Sequence, residues 1–164
     1  MTPFRQMRRI RQQLPKEDCE RILTRCTSGV LALAGDGGYP YAVPLSYVYA
    51  DGKIYFHSAV QGHKIDAINR DSRCSFCVID RDDVKPAEFT TYFRSVIAFG
   101  QITVIEDVDE QLQALRMLGR RYSPLNEEGL QPEIDKAKGR VTLLRLDIEH
   151  LTGKEAIELV RERE

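Results

Sequence analysis

Between Tyr39 and Ile68 the chain first alternates and then changes period. Tyr41, Val43, Leu45, Tyr47 and Tyr49 fall on one side of an extended chain, and Ala42, Pro44, Ser46, Val48 and Ala50 on the other. This predicts a strand with one buried face. Asp51-Gly52 tolerates the positive φ of a tight turn and Lys53 to Ser58 reads as the returning strand, so residues 40–58 are expected to form a hairpin. From Gly62 onward the apolar residues Ile65 and Ile68 stand at helical spacing, so a helix is expected over 62–70.

The same reading extends in both directions. A helix is expected over 16–25, opening after Pro15 with Glu17, Asp18 and Glu20 in its first turn and turning Cys19, Ile22, Leu23 and Cys26 inward. Residues 29–34 read as a strand, and Asp36-Gly37-Gly38 as the turn that follows it. Beyond the central stretch come a strand over 73–80 with Cys74, Phe76 and Val78 on one face, a polar loop over 81–90, and a long strand over 92–105 bent at Gly100. A helix over 107–120, a loop, a short helix over 132–138 and a last strand over 141–148 complete the pattern, and the charged tail from Glu155 admits a helix. About six mostly antiparallel strands and some three helices make an α+β domain with a small barrel. The expected organisation is a basic arm over 1–14, one domain over 15–154 and a charged tail over 155–164.

Composition narrows the class. The chain has 164 residues, 42% hydrophobic and 30% charged, which fits one core of ordinary size. Its 24 basic and 25 acidic side chains leave a net charge of −1, which argues against a general nucleic-acid or anionic-membrane partner. Arg5, Arg8, Arg9 and Arg11 concentrate basic charge near the start, read as an arm that wraps the domain or a second copy of it. No apolar run approaches the length of a membrane span, and the first residues lack the apolar core of a secretion signal, so a cytoplasmic location is expected. Cys19, Cys26, Cys74 and Cys77 are expected to be reduced: in a strand, Cys74 and Cys77 point to opposite faces, and no second pair completes a zinc site. Gly35 and Gly37 do not start a dinucleotide fingerprint, because a strand follows where that motif needs a helix.

The candidate chemistry sits at the expected helix start. Free backbone N–H groups and the positive end of the helix dipole favour an anion there. Gly62 allows close approach, Lys64 adds a full charge, His63 adds a donor, and His57 and Ser58 end the strand that leads to the spot. These residues alone leave two readings open: a phosphate site, or a chain break with solvated His63 and Lys64.

The order of these segments resembles the split-barrel family that binds flavin mononucleotide (FMN), which includes pyridoxamine 5′-phosphate oxidase and the nitroimidazole-resistance (Nim) proteins. The resemblance rests on Met7 to Arg11 (MRRIR), Thr27 to Leu33 (TSGVLAL), DGKIYFHS with GHK, Arg94 to Ile102 (RSVIAFGQI) and Leu151 to Ala156 (LTGKEA), and is greatest for the Nim-like branch. It implies a homodimer with flavin at the subunit interface. It further implies that Ala42, Val43, Pro44 and Leu45 lie along the isoalloxazine, and that His57, Ser58, Gly62, His63 and Lys64 hold the ribityl phosphate. Ser95 and Arg94 would reach the flavin from the second subunit, and His150 and Lys154 would close the site. Pro44 lacks an N–H, so sheet pairing is expected to lapse there and free backbone groups for the heterocycle.

The C-terminal Arg and His that grip the substrate in pyridoxamine 5′-phosphate oxidase have no counterpart in Glu155 to Glu164, which argues against vitamin B6 oxidation. The implied activity is therefore FMN-dependent reduction of a small electron acceptor, with nitroaromatics such as nitroimidazoles as the class. Two alternatives stand beside it. One is a non-enzymatic flavin-binding or sensing module; the other is a haem or deazaflavin binder with His63 or His150 as the axial candidate.

Overall fold

The computed structural model describes residues 2–164. Helix α1 covers Lys16–Arg25, as the pattern predicts, and strand β1 covers Ser28–Ala34. Strands β2 (Pro40–Ser46), β3 (Val48–Ala50) and β4 (Lys53–Ser58) follow, then α2 (His63–Arg70). The remainder is β5 (Arg73–Lys85), β6 (Thr90–Val104), α3 (Val108–Tyr122), α4 (Leu130–Ala137), β7 (Thr142–Glu155) and α5 (Ile157–Arg163). All seven strands join one antiparallel sheet in the order β2-β1-β5-β6-β7-β4-β3.

The central stretch is not the single hairpin expected. Only β3 returns on β4, whereas β2 pairs along its whole length with β1, from Ser28↔Ser46 to Ala34↔Pro40. The pattern within the stretch is right, since Tyr41, Val43 and Leu45 do pack on the core, but alternation is silent about which neighbour a strand takes. Pairing does not lapse at Pro44 either. Pro44 sits opposite Val30 in an unbroken register, and β2 tolerates it because an edge strand has ladder bonds on one side only.

The two edge strands, β2 and β3, are separated in the chain by Tyr47 alone, so the sheet must curl until its edges meet at that residue. The result is a split barrel. Tyr47 is fully buried, its hydroxyl donates to the Leu23 carbonyl at 2.7 Å, and its N–H donates to the Tyr122 hydroxyl at 2.8 Å. The C-terminus of α3 is thereby pinned to the seam.

Inside the curl, Leu31, Leu33, Ile54, Phe56, Phe76, Val78, Val96, Ala98, Leu144 and Leu146 form one cluster with the inner faces of α1 and α2. A second cluster outside the barrel, including Val48, Tyr55, Leu118 and Leu143, lies under α3. Gly100 stands at a register shift in β6, and a Cβ there would lie 2.0 Å from the Asp147 carbonyl oxygen, so the bend expected at this residue is one only glycine permits.

Three expectations need correction. Residues 81–90 are not a polar loop, because β5 runs on to Lys85, a 3-10 turn spans Pro86–Glu88 and β6 starts at Thr90, which makes a two-stranded arm. On one face Arg81 and Lys85 both pair with Asp83, while Asp82 and Val84 alternate on the other, and the charges on both faces mask the strand pattern. The last strand continues to Glu155 instead of ending at Ile148. Five α-helices are present among the described residues where about three were expected, with α5 burying Leu159 and Val160. All four cysteines are free, and no helix is long and apolar enough to cross a membrane.

Candidate functional site

The helix start on which the sequence reading centres is formed by α2. Gly62 precedes it with φ of 142°, a backbone conformation open essentially to glycine alone. Space beside it is free, for a Cβ placed there would meet nothing within 4 Å. Lys64 is half-buried, and burial alone pushes its ammonium below the ordinary 10.5, with no carboxylate or hydrogen bond acting against that. A cation desolvated without a partner is poised for an anion. Ser58 ends β4 with its side chain buried.

His63 joins this corner to the edge strand. Its ring stacks on Tyr41 of β2 with centroids 3.9 Å apart, and its Nε2 lies 3.8 Å from Asp36 Oδ2. Arg70, at the far end of α2, also reaches Asp36, at 3.2 Å, and donates to the Ala34 carbonyl. The start of α2 thus packs against the β1–β2 turn, and the free edge of β2 runs away from it. Val43 and Leu45 face the core, while Ala42 and Pro44 face outward.

The outward face of the sheet collects several other predicted residues. One cross-strand row runs Pro44, Val30, Cys77, Ile97, Thr152, and the next runs Ala42, Ala32, Ser75, Phe99, His150. Ser95 pairs with Ile79 on one side and Lys154 on the other, two positions along the same face. Val30, Ile79 and Ile97 are exposed there, and Val84 and Phe89 on the arm add to the apolar surface, with Phe89 97% exposed. Lys154 lies over the Phe93 ring, and Phe4 of the N-terminal arm stacks on His150 at 4.6 Å. The arm itself lies along β7, where Leu14 N–H donates to Gly153 and the Gln12 side chain to Glu155.

Arg94 belongs to an ion-pair network. Its guanidinium donates to Glu155 Oε2 at 3.1 Å and to Asp80 Oδ2 at 3.4 Å. Glu155 is fully buried, and Arg163 of α5 lies against its Oε1, supplying charge without a well-formed hydrogen bond. Arg25 forks onto Asp80, completing a network that ties α1, β5, β6, β7 and α5 together. Burial would raise the Asp80 carboxyl, but hydrogen bonds and charge from Arg25 outweigh it and hold it below the ordinary 3.8.

The predicted residues therefore fall into two groups. Ser58 lies opposite Thr142 at the start of β7, and Ser95 lies opposite Lys154 near its end. Twelve positions of strand separate them, on the order of 40 Å of extended chain. The two groups thus stand at opposite ends of β7.

His57 belongs to neither group. With Ser46 it borders a cavity of about 460 Å³ under α3 and α4, walled by residues such as Leu115, Leu130, Ile134 and Val141. Sequence reasoning missed this cavity, since Leu115 and Leu118 carry only the ordinary signal of a core-facing helix. Among the described residues no cluster of metal-ligating side chains occurs.

Comparisons with known proteins agree with the fold. Among curated proteins none matches the chain. Among solved structures, a putative 5-nitroimidazole antibiotic resistance protein from Bacteroides thetaiotaomicron is 21% identical over 87% of this chain and 86% of its own, with a TM-score of 0.70. A FAD-binding protein from Mesorhizobium loti is 26% identical over 88% of this chain and 97% of its own, with a TM-score of 0.64. A FAD- and haem-binding protein from Mycobacterium smegmatis is 21% identical over 88% of this chain and 73% of its own, with a TM-score of 0.71. Residues 15–155 match the family model described as pyridoxamine 5′-phosphate oxidase, and the chain, a curled antiparallel sheet with a glycine-led helix at its rim, belongs to that family.

Proposed function

We propose that this protein binds FMN and acts as an FMN-dependent oxidoreductase that passes electrons to a small acceptor. The observation that carries the reading is Lys64, a half-buried ammonium without a carboxylate partner at the glycine-led start of α2. Phosphate is the ligand that such a corner favours: it takes the free N–H groups, the helix dipole and the lysine charge together. The open space beside Gly62 admits it, and the buried Ser58 ends the adjacent strand. The free backbone edge of β2, beside outward-facing Ala42 and Pro44, offers N–H and C=O groups to the polar edge of a flat ring. Bound flavin would supply the electron or hydride transfer, while the chain's own residues hold and orient it.

The working unit in this reading is a homodimer with flavin between the copies. Its support is the separation of the Ser58–Lys64 group from the Ser95–Lys154 group, together with the exposed apolar face around Val30, Ile79 and Ile97. A second copy laid on that face buries it and brings Ser95 and Lys154 to the other chain's site. The acceptor class we assign is nitroaromatic, with support from the name of the Bacteroides neighbour, a putative 5-nitroimidazole antibiotic resistance protein. An axial histidine for haem has less support: His63 Nε2 faces Asp36, and His150 lies under Phe4.

The test is the absorption spectrum of the purified protein before and after incubation with FMN. Flavin bands retained through gel filtration at one per chain are expected. A colourless protein that takes up no FMN, or one with a Soret band, would overturn the reading. Turnover of NAD(P)H with a nitroaromatic acceptor separates an oxidoreductase from a passive flavin-binding or sensing module.

A further inference from the structure

The cavity under α3 and α4 has no part in the cofactor reading, yet it has the size and lining of a small-molecule site. Helix α4 packs on α3 and on the 3-10 turn before it, and makes no extensive contact with the sheet. The space left beneath it, about 460 Å³, lies within the usual range for ligand pockets. Leu115, Leu118, Leu130, Ile134, Ala137 and Val141 give it apolar walls. Neither lysine nor arginine lines it, and Glu133, exposed on α4, is the one charged carboxylate at its rim.

Two lining residues tie the cavity to the sheet. Ser46 follows Leu45 at the end of β2, and His57 precedes Ser58 at the end of β4. Leu45 and Ser58 belong to the two strand ends assigned above to the flavin.

We infer that this cavity binds a small apolar compound that is neutral or cationic, and that it disfavours anionic ones. Apolar walls favour an uncharged compound, because burying a charge there without a partner is costly. The lone rim carboxylate attracts a cation and repels an anion, weakly because it is exposed. Occupancy by itself does not depend on flavin; the further step, that the occupant is the electron acceptor, rests on the proposed function.

A matched series that differs only in charge tests this: 4-nitrobenzylamine (cation), 4-nitrotoluene (neutral) and 4-nitrobenzoate (anion), titrated calorimetrically into the chain without and with FMN. The expected result is saturable 1:1 binding of the first two to both forms, with the anion at least threefold weaker than the cation. Glu133→Gln should close that gap, and Ala137→Phe, which fills the cavity from α4, should abolish binding while the circular dichroism spectrum is kept. Leu115→Trp serves as a second filler should Ala137→Phe misfold. No binding in either form, tightest binding of 4-nitrobenzoate, or displacement of the probes by FMN would overturn the inference. Failure to take up FMN while the probes still bind would sink the flavin reading and leave the cavity site standing.

Discussion

Replacing Lys64 by glutamine gives the sharpest test of the phosphate corner. The substitution removes the charge and keeps most of the length of the side chain. In the free protein this ammonium is half-buried and its pKa is pushed down by burial alone, so its loss uncovers no orphaned carboxylate and should not reduce stability. A charge-assisted hydrogen bond contributes about 1.5–3 kcal/mol. At about 1.4 kcal/mol per tenfold, FMN should bind some ten- to 150-fold more weakly. Riboflavin, which has the ring and ribityl chain but lacks the phosphate, should change by less than about twofold, far below one tenfold step.

The pH dependence has a definite sign. Burial lowers the pKa of Lys64 and a bound phosphate raises it again, so binding is strongest with the lysine protonated. As pH rises through the lowered value, still below 10.5, FMN affinity should fall in the native protein and stay flat in Lys64→Gln. Flavin fluorescence quenching, titrated with both ligands across that alkaline window, reads every quantity. Equal losses for FMN and riboflavin, or no loss for FMN, would refute the corner as a phosphate site.

Other expectations follow from the same geometry. Ile97→Glu places a charge in the exposed apolar row beside Cys77 and Thr152, and should convert the proposed dimer to monomer by light scattering, with loss of FMN uptake; an unchanged mass would count against that face as the interface. Gly100→Ala sets a Cβ 2.0 Å from the Asp147 carbonyl, so β6 or β7 must shift, and urea unfolding should show a loss of about 2 kcal/mol or more. Asp80→Asn removes the carboxylate that Arg25 and Arg94 share and should cost about 3 kcal/mol. Because the Asp80 pKa is depressed in the fold, its contribution is present above about 3.8 and lost as pH falls through the folded value, so acid unfolding of Asp80→Asn should lose that component.

Local pattern carried much of this fold. The Lys16–Arg25 helix, the alternation of Tyr41, Val43 and Leu45, the bend at Gly100 and the glycine-led opening of α2 were legible because each depends on a period or on one residue's backbone freedom. The order of short motifs was enough to point to the family. What the sequence by itself did not determine was pairing and facing. Whether Pro40–Ser46 returns on β4 or on β1 depends on which strand the curl brings alongside, and periodicity is the same in both cases. The arm over 81–90 read as loop because its strands lie beyond the body of the sheet, where a polar face is no penalty.

The candidate site divides in the same way. Gly62 and Lys64 are neighbours in the chain, so their association could be read directly. Tertiary structure alone decided that Arg94 is spent on Glu155 and Asp80, that His57 turns to a cavity under α4, and that Ser95 stands a strand's length from Ser58. These relations join residues 14 or more positions apart in the chain, and strand pairing and helix packing set them, which no local period records.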